Sequence, residues 1–397
     1  MANTDFTATK AQFILPPDHV YLDGNSLGPL PKAAMARMAQ TLEAEWGGML
    51  ISAWNTAGWM DKALVLGDRI GRLIGAPLGT VVVGETLTVR IYQALSAALS
   101  LRPDRRIILS DTGNFPSDLY AAQGLIGALS KGHRLMTVPP DLLEQTISES
   151  VAVVLVTEVD YRTGRRHAMD RIIARAHASG ALVIWDLAHS AGAFPVDVSK
   201  ADFAAGCTYK YLNGGPGAPA FLYVQPGLAE TIQPALAGWL GHAAPFAFDP
   251  VYKPATGIAR MRIGTPPILQ FAALEAALDV WDGVNLEDVR ARSITLSEMF
   301  IKEVERRCPE LVLASPRDPE SRGSQVSFRF ANGYAAIQAL AAHGVTGDFR
   351  APDIMRFGIT PLYVDADYIM RAAEIMETVM AGRIWLRPDY SRRHAVT

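Results

Sequence analysis

The sequence predicts an α/β protein: a larger unit built on a mostly parallel, seven-stranded sheet flanked by helices, followed by a smaller α+β unit. Three observations predict this. From about Thr80, short β-branched runs alternate with helix-length amphipathic segments, the pattern of strands joined by helical crossovers. With 49% apolar and 19% charged residues over 397 positions, the chain has material for a large buried core. After Pro266 the alternation gives way to a long helical stretch and then short mixed elements. The expected division is therefore a large unit over residues 51–270 and a small one over 271–397. Residues 1–50, helical from about Pro31, lack a core of their own and are expected to pack on the small unit.

Taken in order, VVVG near Val81 reads as strand, and Val89, Tyr92, Leu95 and Leu99 at helical spacing come after it. That helix should start near Thr86 or Thr88, either of which could cap it. Then come RIILS (strand), SDLYAAQGLIGAL (helix), HRLMTVP (strand), DLLEQTISES (helix), VAVVLV (strand), DRIIARAHASG (helix) and ALVIW (strand). DFAAGCT and PAFLYV add two short strands with no long helix between them, so an antiparallel pair or an excursion is expected there. Beyond Pro266, a helical region runs from Ile268 through Arg307 with a break near Gly283. ELVLAS, SQVSFRF, a helix from Tyr334 to His343, IMRFGIT and a last helix near Asp367 to Met380 complete the chain.

Composition removes several function classes. Lys plus Arg total 37 and Asp plus Glu 40, a formal charge of −3 without blocks of like charge, whereas nucleic-acid binding needs a concentrated positive field. Cys207 and Cys308 are too few for a disulfide framework or a cysteine-built metal site, and they fit a reducing cytoplasm. The eight histidines form no recognisable metal-ligand spacing, so no metal is expected. The first thirty residues lack a basic start and a continuous apolar stretch, so no export signal is read there. Apolar runs such as VAVVLV fall far short of the roughly 20 residues that span a bilayer, so a soluble protein without membrane association is expected.

The stretch richest in chemistry is ALVIWDLAHSAGAFPVDVSKADFAAGCTYKYLNGGPG, where Asp186 ends one apolar strand and Lys210 comes after the next, twenty-four residues later. Strand carboxyl ends form the ligand crevice of open α/β sheets, so these two groups can face one bound molecule. Pyridoxal phosphate (PLP) asks for this pair: an amine for the cofactor aldehyde, and a carboxylate that keeps the pyridine nitrogen protonated. At an effective dielectric of about 20, opposite charges ~4 Å apart attract by roughly 4 kcal/mol, enough to bias protonation strongly. Taken alone, Lys210 reads as an ordinary loop lysine; its combination with Asp186 favours the cofactor reading. A phosphate could sit at the helix start by Leu87 and Thr88, although simple N-capping explains that pattern too. In NFPSD, Phe115 could stack on a ring and Ser117 or Asp118 reach polar atoms, or the segment is a capped loop with a core phenylalanine. Tyr209 is either a phenol donor to phosphate or a packed aromatic.

YLDGNSLGPLP at 21–31, FPSD at 115–118, YRTG at 161–164, WDLAHSAGA at 185–193, CTYKYLNGGPG at 207–217, GWLGH at 238–242, RIGTPPIL at 262–269 and MRFGITPLY at 355–363 together closely resemble the kynureninase family of fold-type-I PLP enzymes, related to class V aminotransferases. The resemblance runs from about residue 20 to beyond 370. It implies PLP-dependent hydrolysis of L-kynurenine, or its 3-hydroxy derivative, to anthranilate or 3-hydroxyanthranilate and L-alanine, in a cytoplasmic homodimer with active sites at the interface. By the same resemblance Lys210 is the Schiff-base lysine and the base for the α-proton, Asp186 the partner of the pyridine nitrogen, and His189 a close neighbour of the cofactor. Leu87, Thr88, Thr157, Tyr209, Trp239 and Thr265 would line the cofactor or grip its phosphate, the last two from the other subunit. The FPSD segment, Phe115, Pro116, Ser117 and Asp118, would sit against the ring. Arg356 would clamp the substrate α-carboxylate, which suits a planar guanidinium. Ser26 and Trp54 would belong to the substrate pocket, unless they are a turn serine and a core tryptophan, and Tyr209 would relay a proton during cleavage. Glu158 and Asp160 depart from the family's pattern, as Thr265 does from some members.

Alternatives within the fold are a cysteine desulfurase or an aminotransferase, since Asp186 and Lys210 do not dictate the fate of the carbanion. A desulfurase needs a mobile nucleophilic cysteine, and neither Cys207 nor Cys308 is placed for it. A non-catalytic binding protein of the same fold would not need Lys210, Asp186 and Arg356 together.

Overall fold

The computed structural model describes residues 3–392; the first two and last five residues of the outer units expected above lie outside the described residues. Its central sheet contains β1 (Val81–Val83), β2 (Ile107–Asp111), β3 (Arg134–Val138), β4 (Val151–Thr157), β5 (Leu182–Asp186), β6 (Phe203–Gly206) and β7 (Phe221–Val224). The spatial order is β1-β7-β6-β5-β4-β2-β3. Strands β2 to β6 pair in parallel, whereas β7 runs antiparallel to both β6 and β1, as the missing crossover helix requires. Every residue of β4 and β5 is buried, the state expected of parallel strands covered on both faces.

The helix Leu87–Ser100 comes after β1, with Thr86 as its N-cap; such a cap stabilises a helix by about 1 kcal/mol. Pro116–Leu129 begins with proline at its first position, where the missing N–H costs nothing. Met169–Ala178 completes the crossover between β4 and β5. The helix expected over DLLEQTISES is reduced to a 3-10 turn at Pro140–Leu142 and a single α-turn at Leu143–Thr146. Thr146 and Ile147 are β-branched, polar turn formers come next, and Ile147 is extended and buried, so tertiary packing ends the helix early.

A second sheet lies beyond it in the chain, with β8 (Val312–Leu313), β9 (Gln325–Arg329), β10 (Asp348–Arg350) and β11 (Ile354–Gly358) in the order β8-β9-β11-β10, all antiparallel. Helices Ile268–Asp279 and Leu286–Arg307, broken around Gly283, precede it, Gly333–Ala342 packs on it, and Ala366–Ala381 packs on Leu286–Arg307. The N-terminal segment joins this region: Val20–Tyr21 pairs in parallel with Val345–Thr346, and the Thr9 hydroxyl donates to the Leu362 carbonyl at 2.9 Å. The helix Lys32–Gln40 continues in π-helical turns through Thr41–Met49, and its Arg37 reaches Glu275 on the helix Ile268–Asp279 at 2.6 Å. Strand β10, which sequence periodicity did not reveal, places Asp348 directly opposite Arg356 of β11.

Candidate active site

The carboxyl ends of β4, β5 and β6 converge on one crevice. Asp186 is the last residue of β5, paired with Thr157 of β4 and Ala205 of β6. Its carboxylate turns back into the chain, accepting from the Ala188 amide at 2.7 Å and the Thr157 hydroxyl at 3.4 Å. Asn114 holds this group from the other side: its amide donates to Ser110 at 2.9 Å while its oxygen accepts from Thr157.

Lys210 lies four residues beyond β6 in a turn closed by Asn213 N to Lys210 O at 2.9 Å and Gly214 N to Thr208 O at 2.8 Å. The GNSLG loop braces that turn. Gly28 N donates to the Tyr209 carbonyl at 2.8 Å, and a Cβ on Gly28 would lie 2.5 Å from the Lys210 carbonyl, so no larger residue fits without displacing the lysine backbone. Two sequence strings more than 180 residues apart therefore meet at one place.

The Lys210 amine sits 3.0 Å from His189 Nε2 and 5.9 Å from the ring centroids of both Phe115 and Tyr209. His189 is buried, and burial together with the Lys210 charge holds its imidazole well below the usual histidine range, hence neutral. Its Nδ1 meets no partner among the described residues. Asp118 is buried beside Asp186; burial and the neighbouring carboxylate push it well above the carboxylate range. Burial raises Asp186 as well, against the pull of Lys210 and its own hydrogen bonds. Of this pair Asp118 keeps the proton, because Asp186 has the Ala188 amide and Thr157 to stabilise its charge.

A cavity of about 250 Å³ opens beside these groups, lined by Thr86, Leu87, Thr88, Phe115, Ser117, Asp118, Cys207, Tyr209, Gly217, Ala218 and Ala220. Its far wall is the first turn of the helix Leu87–Ser100, whose leading amides have no intrahelical acceptor and carry the positive end of the helix dipole. The neighbouring Cys207 sulfur, then burial and the Asp186 charge, raise the Tyr209 phenol, so it acts as a proton donor.

On the second sheet, Arg356 is almost wholly buried. Its Nε donates to Asp348 Oδ1 at 2.6 Å, its Nη2 to Asp348 Oδ2 and, at 3.2 Å, to Ser26 Oγ, and its Nη1 to the Tyr161 carbonyl. Ser26 in turn donates to Asp348 Oδ2 at 2.7 Å. The Tyr161 ring packs on Phe115 at 5.2 Å, which links this cluster to the lysine. Both Arg356 and Arg350 also help hold His189 neutral. Asp23 completes the cluster: burial, then the Asp348 charge, push its carboxyl up to about 7.

Most residues singled out from sequence are thus brought together: Leu87, Thr88, Phe115, Ser117, Asp118, Thr157, Asp186, His189, Tyr209, Lys210, Ser26 and Arg356. Pro116 is the first residue of its helix and is absent from the cavity wall. Trp54 and Thr265 line a separate groove of about 390 Å³ with Trp46 and Trp59, and Trp239 stands 38% exposed on Phe246. Glu158 and Asp160 have partners of their own. Glu158 takes Arg166 at 3.0 Å, and Asp160 accepts from the amides of Arg162 and Thr163 at 2.9 and 2.8 Å. Asn114, Asp23, Tyr161, Arg350 and Asp348 were not among the sequence candidates. The signal for Asp348 was its eight-residue spacing to Arg356 across a turn-forming APD, a hairpin register.

The kynureninase C-terminal domain family matches residues 289–376. A kynureninase of Pseudomonas fluorescens is 46% identical over 405 residues, covering 100% of this chain and 97% of that protein. The chain belongs to the kynureninase family. Among solved structures, the cysteine desulfurase CsdA of Escherichia coli superposes with a TM-score of 0.80 at 20% identity, covering 96% of this chain and 99% of that one. A variant of C-DES with glycine covalently linked to its PLP cofactor superposes with a TM-score of 0.80 at 18% identity, over 92% and 98% of the two chains. At such identities the likeness speaks for the fold alone, so this kynureninase-family chain has the fold-type-I architecture.

Proposed function

We propose that this chain is an enzyme that hydrolyses L-kynurenine to anthranilate and L-alanine with pyridoxal phosphate as cofactor, a step of tryptophan catabolism. The observation that carries the reading is the 46% identity to a kynureninase over the full chain, joined to one crevice that holds an amine, a carboxyl pair and a buried guanidinium. The residues present fit the cofactor. Asp118 Oδ2, beside Asp186, is buried with no hydrogen-bond partner among the described residues, and a polar group on a bound ring would satisfy it, while the Asp186 carboxylate would take the protonated ring nitrogen. The helix start at Leu87 and Thr88, with Tyr209, suits a phosphate.

When bound, the cofactor supplies an aldehyde for amines and an electron-withdrawing ring that stabilises negative charge at the substrate α-carbon. Lys210 Nζ would hold that aldehyde and, when free, would be the base for the substrate α-proton. Neutral His189 keeps the Lys210 amine in place through its Nε2 without competing for positive charge. Asp186, anchored by Ala188 and Thr157, keeps negative charge where the ring nitrogen needs it, and Thr157 owes its own orientation to Asn114. Arg356 and Ser26 receive the α-carboxylate, and Phe115 and Tyr161 wall the space between. Tyr209, held in its protonated form, is the donor for phosphate and the candidate relay for the proton delivered during cleavage.

Three finer readings belong to the same proposal. The units are 51–270 and 271–397 with residues 1–50 on the latter, supported by the separate sheets and the Val20–Val345 pairing. The enzyme works as a homodimer, supported by large apolar side chains left in water: Ile51 80%, Phe248 79% and Phe246 66% exposed. Trp239 and Thr265 then complete a neighbouring subunit's site, Thr265 being exposed on its groove; Trp54, half-buried on the same groove, is read as a substrate-pocket residue. The compartment is the cytoplasm, consistent with two free buried cysteines; among the described residues no helix is long and apolar enough to cross a membrane.

A desulfurase reading finds little footing. Burial pushes the Cys207 thiol up and that of Cys308 up to about 12, so neither offers a thiolate. Incubation of the PLP-loaded protein with L-kynurenine, 3-hydroxykynurenine and cysteine separates the readings: equimolar anthranilate or its hydroxy form and alanine are expected, and alanine from cysteine alone would reject the proposal.

A further inference from the structure

An arginine fork offers a carboxylate two bidentate edges, Nε with Nη2 and Nη1 with Nη2. Here the first edge is filled from within: Asp348 takes Nε at 2.6 Å and Nη2 with its two oxygens, directly across the hairpin register that joins β10 to β11. Ser26 locks the same carboxylate at 2.7 Å, and Arg350 adds a second cation to it at 2.9 Å. The Nη1 nitrogen is committed once, to the Tyr161 carbonyl, and keeps a second N–H; Nη2 touches Ser26 only at 3.2 Å. We infer that Asp348 is a positioning residue: by occupying the Nε and Nη2 edge it fixes the guanidinium plane so that the Nη1 and Nη2 edge meets the substrate α-carboxylate. This rests on the kynurenine-hydrolysing role proposed above.

Two effects of Asp348 oppose each other, and the sign of the outcome tells them apart. As a nearby anion it repels the substrate carboxylate, so its removal would tighten binding if charge alone mattered. As a tether it prevents the guanidinium from turning its bidentate edge away. Charge is the smaller effect here, because Asp348 is one of the groups that keep the Asp23 carboxyl raised, and its loss lets Asp23 ionise in its place. Burial favours the tether as well: Arg356 and Asp348 are both almost entirely enclosed, where a misdirected donor cannot fall back on water.

The test is Asp348→Asn, nearly isosteric, assayed with L-kynurenine and with its α-carboxamide. Loss of one charge-assisted bidentate contact corresponds to a rise in KM for the acid of about 10- to 100-fold. The amide is expected to shift by less than about 3-fold and kcat to stay within the same range, so the acid-over-amide preference falls at least about 10-fold. Cofactor absorbance should stay near wild type while the acid-over-amide preference falls, a split that a merely structural role would not give. If D348N does not fold, Asp348→Glu, which keeps the charge and moves the oxygens by one methylene, must lower the preference severalfold. An unchanged preference in whichever variant folds overturns the inference, as does a lower KM for the acid. A wild-type enzyme that fails to prefer acid over amide refutes the Arg356 contact itself, so that failure is told apart from a failure at Asp348.

Discussion

At the end of the crevice proposed for the cofactor, two buried carboxyls, Asp118 and Asp186, face one lysine and a neutral histidine. At the end proposed for the substrate carboxylate, half-buried Asp23 and buried Asp348 face two guanidiniums, Arg350 and Arg356. The first end is short of positive charge and keeps a proton on Asp118 to make up the deficit; a protonated ring nitrogen would supply what is missing. The second end is balanced when both carboxyls are ionised, so an arriving anion is best accommodated if Asp23 takes up a proton. The difference shows one device in two settings: a carboxyl raised by burial and by a neighbouring carboxylate, set beside a lysine at one end and beside two guanidiniums at the other.

Changes at the cofactor end should cost most. Lys210→Ala removes the proposed covalent anchor and base together, and steady-state turnover should fall by at least about 10³-fold. Asp186→Asn comes next, with a kcat loss of about 10²-fold and weaker cofactor retention measured by absorbance after gel filtration. Asp118→Asn should cost severalfold less than D186N, because Asp118 already carries a proton and the amide keeps a donor there. Equal losses in the two variants would erase the distinction between anchored and protonated carboxyls.

The carboxylate end should respond to pH more than to single hydrogen bonds. Asp23 faces Asp348, Arg350 and Arg356 and lies near the phenols of Tyr21, Tyr211 and Tyr363. With its carboxyl at about 7 when folded against an ordinary value of 3.8, the folded chain binds the extra proton between those limits. Stability from this group is therefore full below about 3.8 and declines as pH rises toward 7. KM for kynurenine should rise as pH passes 7 and Asp23 becomes an anion beside the arginines. Asp23→Asn should flatten that rise; a slope that persists in D23N assigns the titration elsewhere. The smallest effect is expected for Ser26→Ala, a KM increase of about 2- to 5-fold, equal to one modest hydrogen bond of ~1 kcal/mol.

The cofactor end was legible in sequence and much of the carboxylate end was not. Asp186 and Lys210 stand out because each comes at or just after a fully apolar strand, and strand ends are where a parallel sheet places its chemistry. Arg356 was found by its RFG string, but Asp348 was not, because a three-residue strand such as Asp348–Arg350 has too few positions to display alternation. Asp23 lay beside the GNSLG motif, yet its role depends on burial against residues more than 300 positions away. Asn114 reads as a capping residue until Thr157 is seen to lean on it. The segment after Pro139 misled in the other direction: helix-like apolar spacing lost to β-branched residues and to burial of Ile147.

The central claim is that the Lys210 amine, in a crevice that also binds PLP and kynurenine, performs the hydrolysis. Anthranilate fluorescence recorded after mixing L-kynurenine with PLP-loaded wild-type and K210A proteins tests it most directly. Fluorescence should rise in step with alanine in the wild type and stay at the uncatalysed level in K210A; release of anthranilate by K210A at the wild-type rate would contradict the account.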